Sequence, residues 1–144
     1  MDKEKNKAIA IEMLEEVFNK QNPEAVDKYY TADFVNHDPN LPQIRNQKEF
    51  KQWIQALKTG FPLPYYRTVS EDYITESDQV VSRWTCDVTG KGEYFGLPPM
   101  GRQIIFSGIT IFRFVGGKIA ECWWSYDNLG ALQQAGLIPK MGQG

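Results

Sequence analysis

The apolar positions of this chain change their spacing once, near the middle. Up to Gly60 they recur every three or four residues, as on a helix; from Tyr66 onward they alternate, as along strands. Ile9, Met13 and Val17, flanked by Leu14 and Phe18, make a broad stripe that predicts a helix over about Lys3–Asn19. Asn22, Pro23 and Glu24 then supply a capping side chain, a residue suited to the first helical position and an acid for the positive helix end. They predict a short helix carrying Ala25, Val26, Tyr29 and Tyr30, followed by an extended piece, Phe34–His37, and a loop punctuated by Pro39 and Pro42. Phe50, Trp53, Ile54 and Leu57 line one face of a third helix, with Asn46 as its cap, Glu49 in the capping-box place and Gly60 at its end.

Strands are predicted at Tyr66–Ile74 and Val80–Thr89, the second with Val80, Trp84, Cys86 and Val88 on one side and Arg83, Thr85 and Asp87 on the other. A loop rich in Gly and Pro spans about Gly90–Gly101. Two long strands, Gln103–Val115 and Lys118–Tyr126, are joined by Gly116-Gly117, whose turn needs positive φ at both positions. Helices first and strands afterwards predict an α+β fold, with the helices packed on one face of an antiparallel sheet; long strands curl, and a curved sheet covered by helices is expected to leave a pocket. At 144 residues the chain is expected to be one domain over 1–144.

Strict alternation across the last hairpin pairs Thr110 with Trp123, Phe112 with Glu121 and Phe106 with Asp127. Phe106, Thr110, Phe112, Glu121, Trp123 and Asp127 then share one face, two carboxyl groups among aromatics. The other face carries Ile105, Ile109, Ile111, Arg113, Cys122, Trp124 and Tyr126. Both faces are apolar enough that one is expected to cover the pocket and the other a subunit interface, giving a homodimer or a tetramer. A desolvated Asp127 has a raised pKa and can move protons near neutrality, or it caps a short helix starting near Asn128. Glu121 lines the pocket with Trp123 or pairs with an arginine.

Charge narrows the partners. Sixteen basic and 18 acidic residues leave −2, with no basic stripe for nucleic acid, and no apolar run long enough for a membrane span. The charged Met1–Lys5 start leads into an amphipathic helix rather than an apolar signal core, and the separated Cys86 and Cys122 read as buried thiols; both suit the cytoplasm. His37 is the only histidine, so no histidine-rich metal site can form; it either holds its loop or sits on the pocket rim. Trp53 and the other tryptophans are core residues or pocket wall. The proline-rich loop after Gly96 cannot offer the run of N–H groups a phosphate needs, and reads as a rigid rim.

In order along the chain stand Phe34-Val35-Asn36-His37-Asp38-Pro39, Gly96-Leu97-Pro98-Pro99-Met100-Gly101-Arg102, Gly117-Lys118-Ile119-Ala120-Glu121-Cys122-Trp123 with Asp127 after it, and Leu132-Gln133-Gln134-Ala135-Gly136. Together these segments resemble the SnoaL-like polyketide cyclases (ester cyclases) of the nuclear-transport-factor-2-like superfamily. The resemblance implies an oligomeric cone-like barrel, without metal or organic cofactor, that closes an apolar or aromatic carbonyl compound by an intramolecular aldol step. It implies Asp127 as the catalytic acid/base; from their own positions, His37, Trp53, Phe106, Glu121 and Trp123 are the candidate substrate contacts. The chain departs from many relatives in reading Thr89-Gly90-Lys91-Gly92, without histidine, before the Gly-Leu-Pro-Pro loop, and Met100 where threonine is frequent. Non-catalytic binding of an apolar molecule, or an assembly role with a filled cavity, are the alternatives on the same fold.

Overall fold

The computed structural model describes residues 2–140 and 142. Helix α1 (Lys3–Met13) runs straight into a wider turn at Leu14–Asn19, where the Lys20 N–H reaches back to Glu15 and the Asn22 N–H to Val17. This local widening places the Asn19 amide inside the molecule. Its Oδ1 accepts from the Thr68 N–H at 2.8 Å and its Nδ2 donates to the Thr68 carbonyl at 2.9 Å. A 3-10 turn (Pro23–Ala25), capped by Asn22, leads into α2 (Val26–Tyr29). Strand β1 is Tyr30–His37, longer than expected because Tyr30 opens the strand instead of closing the helix.

Helix α3 (Gln47–Gly60) begins where predicted, with Asn46 accepting from the Glu49 N–H. The Glu49 carboxylate turns to Arg45, not back to Asn46, so the capping box is displaced by one residue. Strands β2 (Tyr66–Glu76), β3 (Gln79–Thr89), β4 (Gln103–Val115) and β5 (Lys118–Tyr126) follow, and α4 (Asn128–Gln134) closes the described chain. The sheet order is β1-β5-β4-β3-β2, antiparallel except for the β1–β5 pair, which is parallel. It is curved and stays open, and the helices fill its concave side. Tyr30, Phe34 and Phe50 meet there at centroid distances of 4.7–5.3 Å, fastening α3 to β1.

The last hairpin departs from strict alternation at one residue. Val115 faces Lys118 and Phe114 faces Ile119, as expected, but Arg113 faces Glu121, so Ala120 is an extra residue in β5. Beyond it every side chain changes face. Cys122, Trp124 and Tyr126 turn inward with Phe112, Thr110 and Phe106, while Glu121, Trp123 and Ser125 turn outward. The physical reason is burial. Alternation without a bulge would send the Glu121 carboxylate into the core and expose Cys122, which is fully buried.

Because β2 is an edge strand, the Asn19 amide replaces the neighbour it lacks at Thr68. Asn19→Leu leaves a buried N–H and C=O unpaired and is expected to cost about 1–3 kcal/mol in urea unfolding. A variant as stable as the parent would show that water satisfies Thr68 equally well.

Candidate functional site

The concave side of the sheet and the helices enclose a cavity of about 290 Å³. Its walls are apolar: Met13 and Phe18 from the first helical segment, Trp53 from α3, and Trp84, Phe106 and Trp124 from the sheet. Phe18, Trp53 and Trp84 all contact Trp124, at centroid distances of 5.5–6.1 Å. Asn36 of β1 aims that indole: its Oδ1 accepts from Trp124 Nε1 at 2.7 Å and from the Cys122 thiol at 3.1 Å. The rim is built by the loop between β3 and β4, through Tyr94, Leu97 and Met100, and by α4, through Leu132. Gln134 holds α4 in place, its amide donating to the Ile105 carbonyl (2.7 Å) and accepting from the Ile105 N–H (2.8 Å), past the point where β5 ends.

No carboxyl lines this cavity among the described residues, but Asp38 is hydrogen-bonded to a residue that does. Its side chain is buried behind Tyr126, which lines the cavity and donates its hydroxyl to the two carboxylate oxygens at 3.0 and 3.2 Å. The Asn40 N–H adds a bond of 2.9 Å. Burial pushes the Asp38 carboxyl above the ordinary aspartate value of 3.8, against the pull of these hydrogen bonds. Burial, and then the neighbouring Asp38, holds the Tyr126 phenol protonated well into the alkaline range. Asn40 and Asn128, each two residues beyond one member of this pair, line the cavity. Cys86 lies in the wall too, but burial pushes its thiol up to about 12, so it is inert as a nucleophile near neutrality.

The residues expected from sequence divide between two faces. Trp53 and Phe106 line the cavity. His37, Glu121 and Trp123 stand together on the convex face. His37 Nε2 donates to Glu121 at 2.6 Å, its ring stacks on Trp123 at 5.4 Å, and Arg113 bonds the other Glu121 oxygen at 3.1 Å. The hydrogen bond from His37, and after it Arg113, holds the Glu121 carboxyl below its ordinary value against the opposing effect of burial. This is an ion-paired surface cluster and forms no part of the cavity wall. Asp127 is exposed, outside the cavity lining, and its Oδ1 accepts from the Gly130 N–H at 2.8 Å as the N-cap of α4. Of the two places expected for Asp127 the structure shows the cap: past the Ala120 bulge Asp127 lies opposite Ser107, whose carbonyl accepts its N–H at 3.0 Å, and not opposite Phe106.

A family model for SnoaL-like polyketide cyclases matches residues 8–135. The chain belongs to this family. Among solved structures, a candidate polyketide cyclase from Acidithiobacillus ferrooxidans is 30% identical, with TM-score 0.80, over 91% of this chain and 94% of the other. IdmH, a candidate polyketide cyclase from Streptomyces antibioticus, is 25% identical with TM-score 0.76, over 91% and 98%. AclR from Streptomyces galilaeus, described as a candidate hydroxylase, has TM-score 0.83 at 22% identity over 99% and 87%, a likeness of fold alone. No curated protein matches. SnoaL-like folds thus carry more than one described chemistry, and the cavity must supply the rest of the argument.

Neither Asp38 nor Tyr126 is marked as a site residue by its local sequence, and strict alternation puts Tyr126 on the face opposite Phe106. Asp38-Pro39 reads locally as loop punctuation, and its partner lies 88 residues away.

Two substitutions test the Asp127 cap. Asp127→Ala is expected to cost about 1 kcal/mol, and Asp127→Asn only a few tenths, in chemical unfolding. Equal losses for both would mean that the charge, and not the capping oxygen, matters.

Proposed function

We propose that this SnoaL-like protein binds an apolar or aromatic carbonyl compound in its cavity and moves a proton at the carbon beside the carbonyl, the step that opens an intramolecular aldol closure. The observation that carries the reading is the Tyr126–Asp38 hydrogen bond at the wall of an otherwise apolar chamber. Tyr126 faces the substrate and Asp38 stands behind it, so the two act as a relay. As the Tyr126 oxygen takes the carbon-bound proton, its phenolic proton passes to Asp38, and no phenolate is formed beside a carboxylate. The enolate carbon then attacks the second carbonyl carbon. The resulting alkoxide receives a proton from Tyr126 while Asp38 returns its own. The raised Asp38 pKa suits a base that must hold this proton briefly. The amides of Asn40 and Asn128 are the candidate donors to the developing enolate oxygen.

The reading is tested by following deuterium incorporation at the α-carbon of an aromatic β-keto ester, in D2O, above the uncatalysed background. Tyr126→Phe and Asp38→Asn are each expected to lower the catalysed rate by about 10²–10⁴-fold, and Asp127→Asn to leave it unchanged. Binding of the ester without catalysed exchange by the parent protein would instead favour a non-catalytic carrier. Activity needs ionised Asp38, so kcat/KM should fall as pH drops through its folded pKa, above 3.8. Stability has the opposite sign: a raised carboxyl pKa stabilises the fold below the unfolded value and loses that contribution as pH rises through the folded one.

We also propose that the convex face of the sheet meets a second copy of the chain. Val35, Val69, Ile105 and Ile109 are 42–48% exposed there. Of the charges among them, Arg113 is paired with Glu121 and Arg83 with Asp72, and Asp87 is held by the Gln103 amide, so a copy would meet few ions without a partner. Light scattering is expected to give about twice the 16.5 kDa chain mass, and Ile109→Lys to give the single-chain mass. A monomeric parent protein would refute the interface.

A further inference from the structure

The loop over the cavity mouth ends in a turn that carries the wrong residue for its shape. Tyr94 and Leu97 exchange backbone hydrogen bonds of 3.0 Å in both directions, closing a two-residue turn over Phe95 and Gly96. Both residues have positive φ, 48° and 80°. That geometry favours Asn-Gly, because a side chain with a Cβ is crowded in the left-handed region, and a bulky aromatic most of all. Phe95 is also 45% exposed, so the fold carries an apolar ring in water as well as a strained backbone. Two unfavourable features at one position, with a polar residue able to relieve both, need a reason outside folding.

The position supplies one. Phe95 borders the cavity and packs against Tyr94 at 4.6 Å, and Tyr94 in turn packs on Phe61 at 5.1 Å and accepts a hydrogen bond from Trp53 Nε1 at 2.9 Å. The base of the loop is fixed: the Lys91 and Gly92 N–H groups both donate to the Gly60 carbonyl, at 2.9 and 3.1 Å, and the Gly101 N–H to the Gly90 carbonyl. The turn therefore projects from a rigid footing. Leu97 stands beside Phe95, and Leu132 and the 47%-exposed Leu137 line the cavity from the α4 side.

We propose that Phe95 is the gate of the cavity, an aromatic side chain retained at the turn because it covers a flat, apolar ligand in the mouth and sets which ligands are held. This rests on the ligand-binding half of the function proposed above and not on its proton chemistry. Relieving the strain and losing the contact then have opposite effects, which a purely structural residue would not show.

The experiment measures thermal midpoints and, by isothermal titration, binding of 2-acetylnaphthalene to the full chain and to Phe95→Asn and Phe95→Tyr. Phe95→Asn is expected to raise Tm by about 2–5 °C and to weaken binding by roughly 3- to 10-fold, the range of one aromatic contact. Phe95→Tyr, which keeps the ring, should bind as the parent does. A Phe95→Asn variant that binds the ketone as tightly as the parent overturns the gate while leaving the ligand cavity standing. A Tm that falls overturns the strain argument on which the gate depends. If the parent itself does not bind the ketone, the ligand reading fails and the gate with it.

Discussion

The hydrogen bond from Trp124 to Asn36 and the extra residue Ala120 work as one constraint, and the rest of the site hangs on it. The bulge decides that Trp124 and Tyr126 face inward. The Asn36 oxygen, shared with Cys122, then fixes the angle of the indole. With Trp124 set, Phe18, Trp53 and Trp84 have a common ring to pack against, and the concave side of the sheet becomes an aromatic chamber rather than a filled core. Two residues later the same setting brings the Tyr126 hydroxyl to Asp38. A β-strand without the bulge would place Glu121 and Trp123 there instead, with a carboxylate held in an apolar wall at a desolvation cost that Arg113 could not reach to offset.

The division of charge follows from this geometry. Outside, Glu121 is ionised, doubly hydrogen-bonded and held at low pKa. Inside, the carboxyl of Asp38 is screened from water by the phenol that bonds it, and its pKa moves the other way. Two acids of the same chain are thus pushed in opposite directions by the pleat of one sheet and by the loop that follows β1. Such separation is what acid–base chemistry in a small cavity requires, since the proton must be held at one place and excluded from others.

How much of this is legible in the sequence depends on the range of the interaction concerned. Helix α3 is readable because Asn46, the Phe50–Leu57 stripe and Gly60 are all local signals, and the β4–β5 hairpin because Gly116-Gly117 fixes its turn. The α+β arrangement follows from the order of those elements. The faces of β5 are not readable by alternation, because Ala120 has no distinctive side chain and one unpaired residue inverts everything after it. That inversion keeps Asp127, Glu121 and Trp123 out of the cavity wall, while Trp53 and Phe106, which lie outside its reach, line it. Asp38 escapes a local reading for a different reason. Its burial is produced by Tyr126 from the far end of the chain, and nothing near Asp38-Pro39 announces it.

The tryptophans carry one more consequence. Of the four in the chain, Trp53, Trp84 and Trp124 line the cavity and touch one another directly or through Trp124, while Trp123 lies outside, stacked on His37. Excitation deposited in any of the three inner indoles is shared within a few ångströms, so the protein's ultraviolet emission reports mostly on the occupancy and wetness of the chamber. The outer indole answers to a different variable, the stacking of the imidazole resting on it. The molecule therefore contains two optical channels on opposite faces of one strand, one reading its interior and the other its surface.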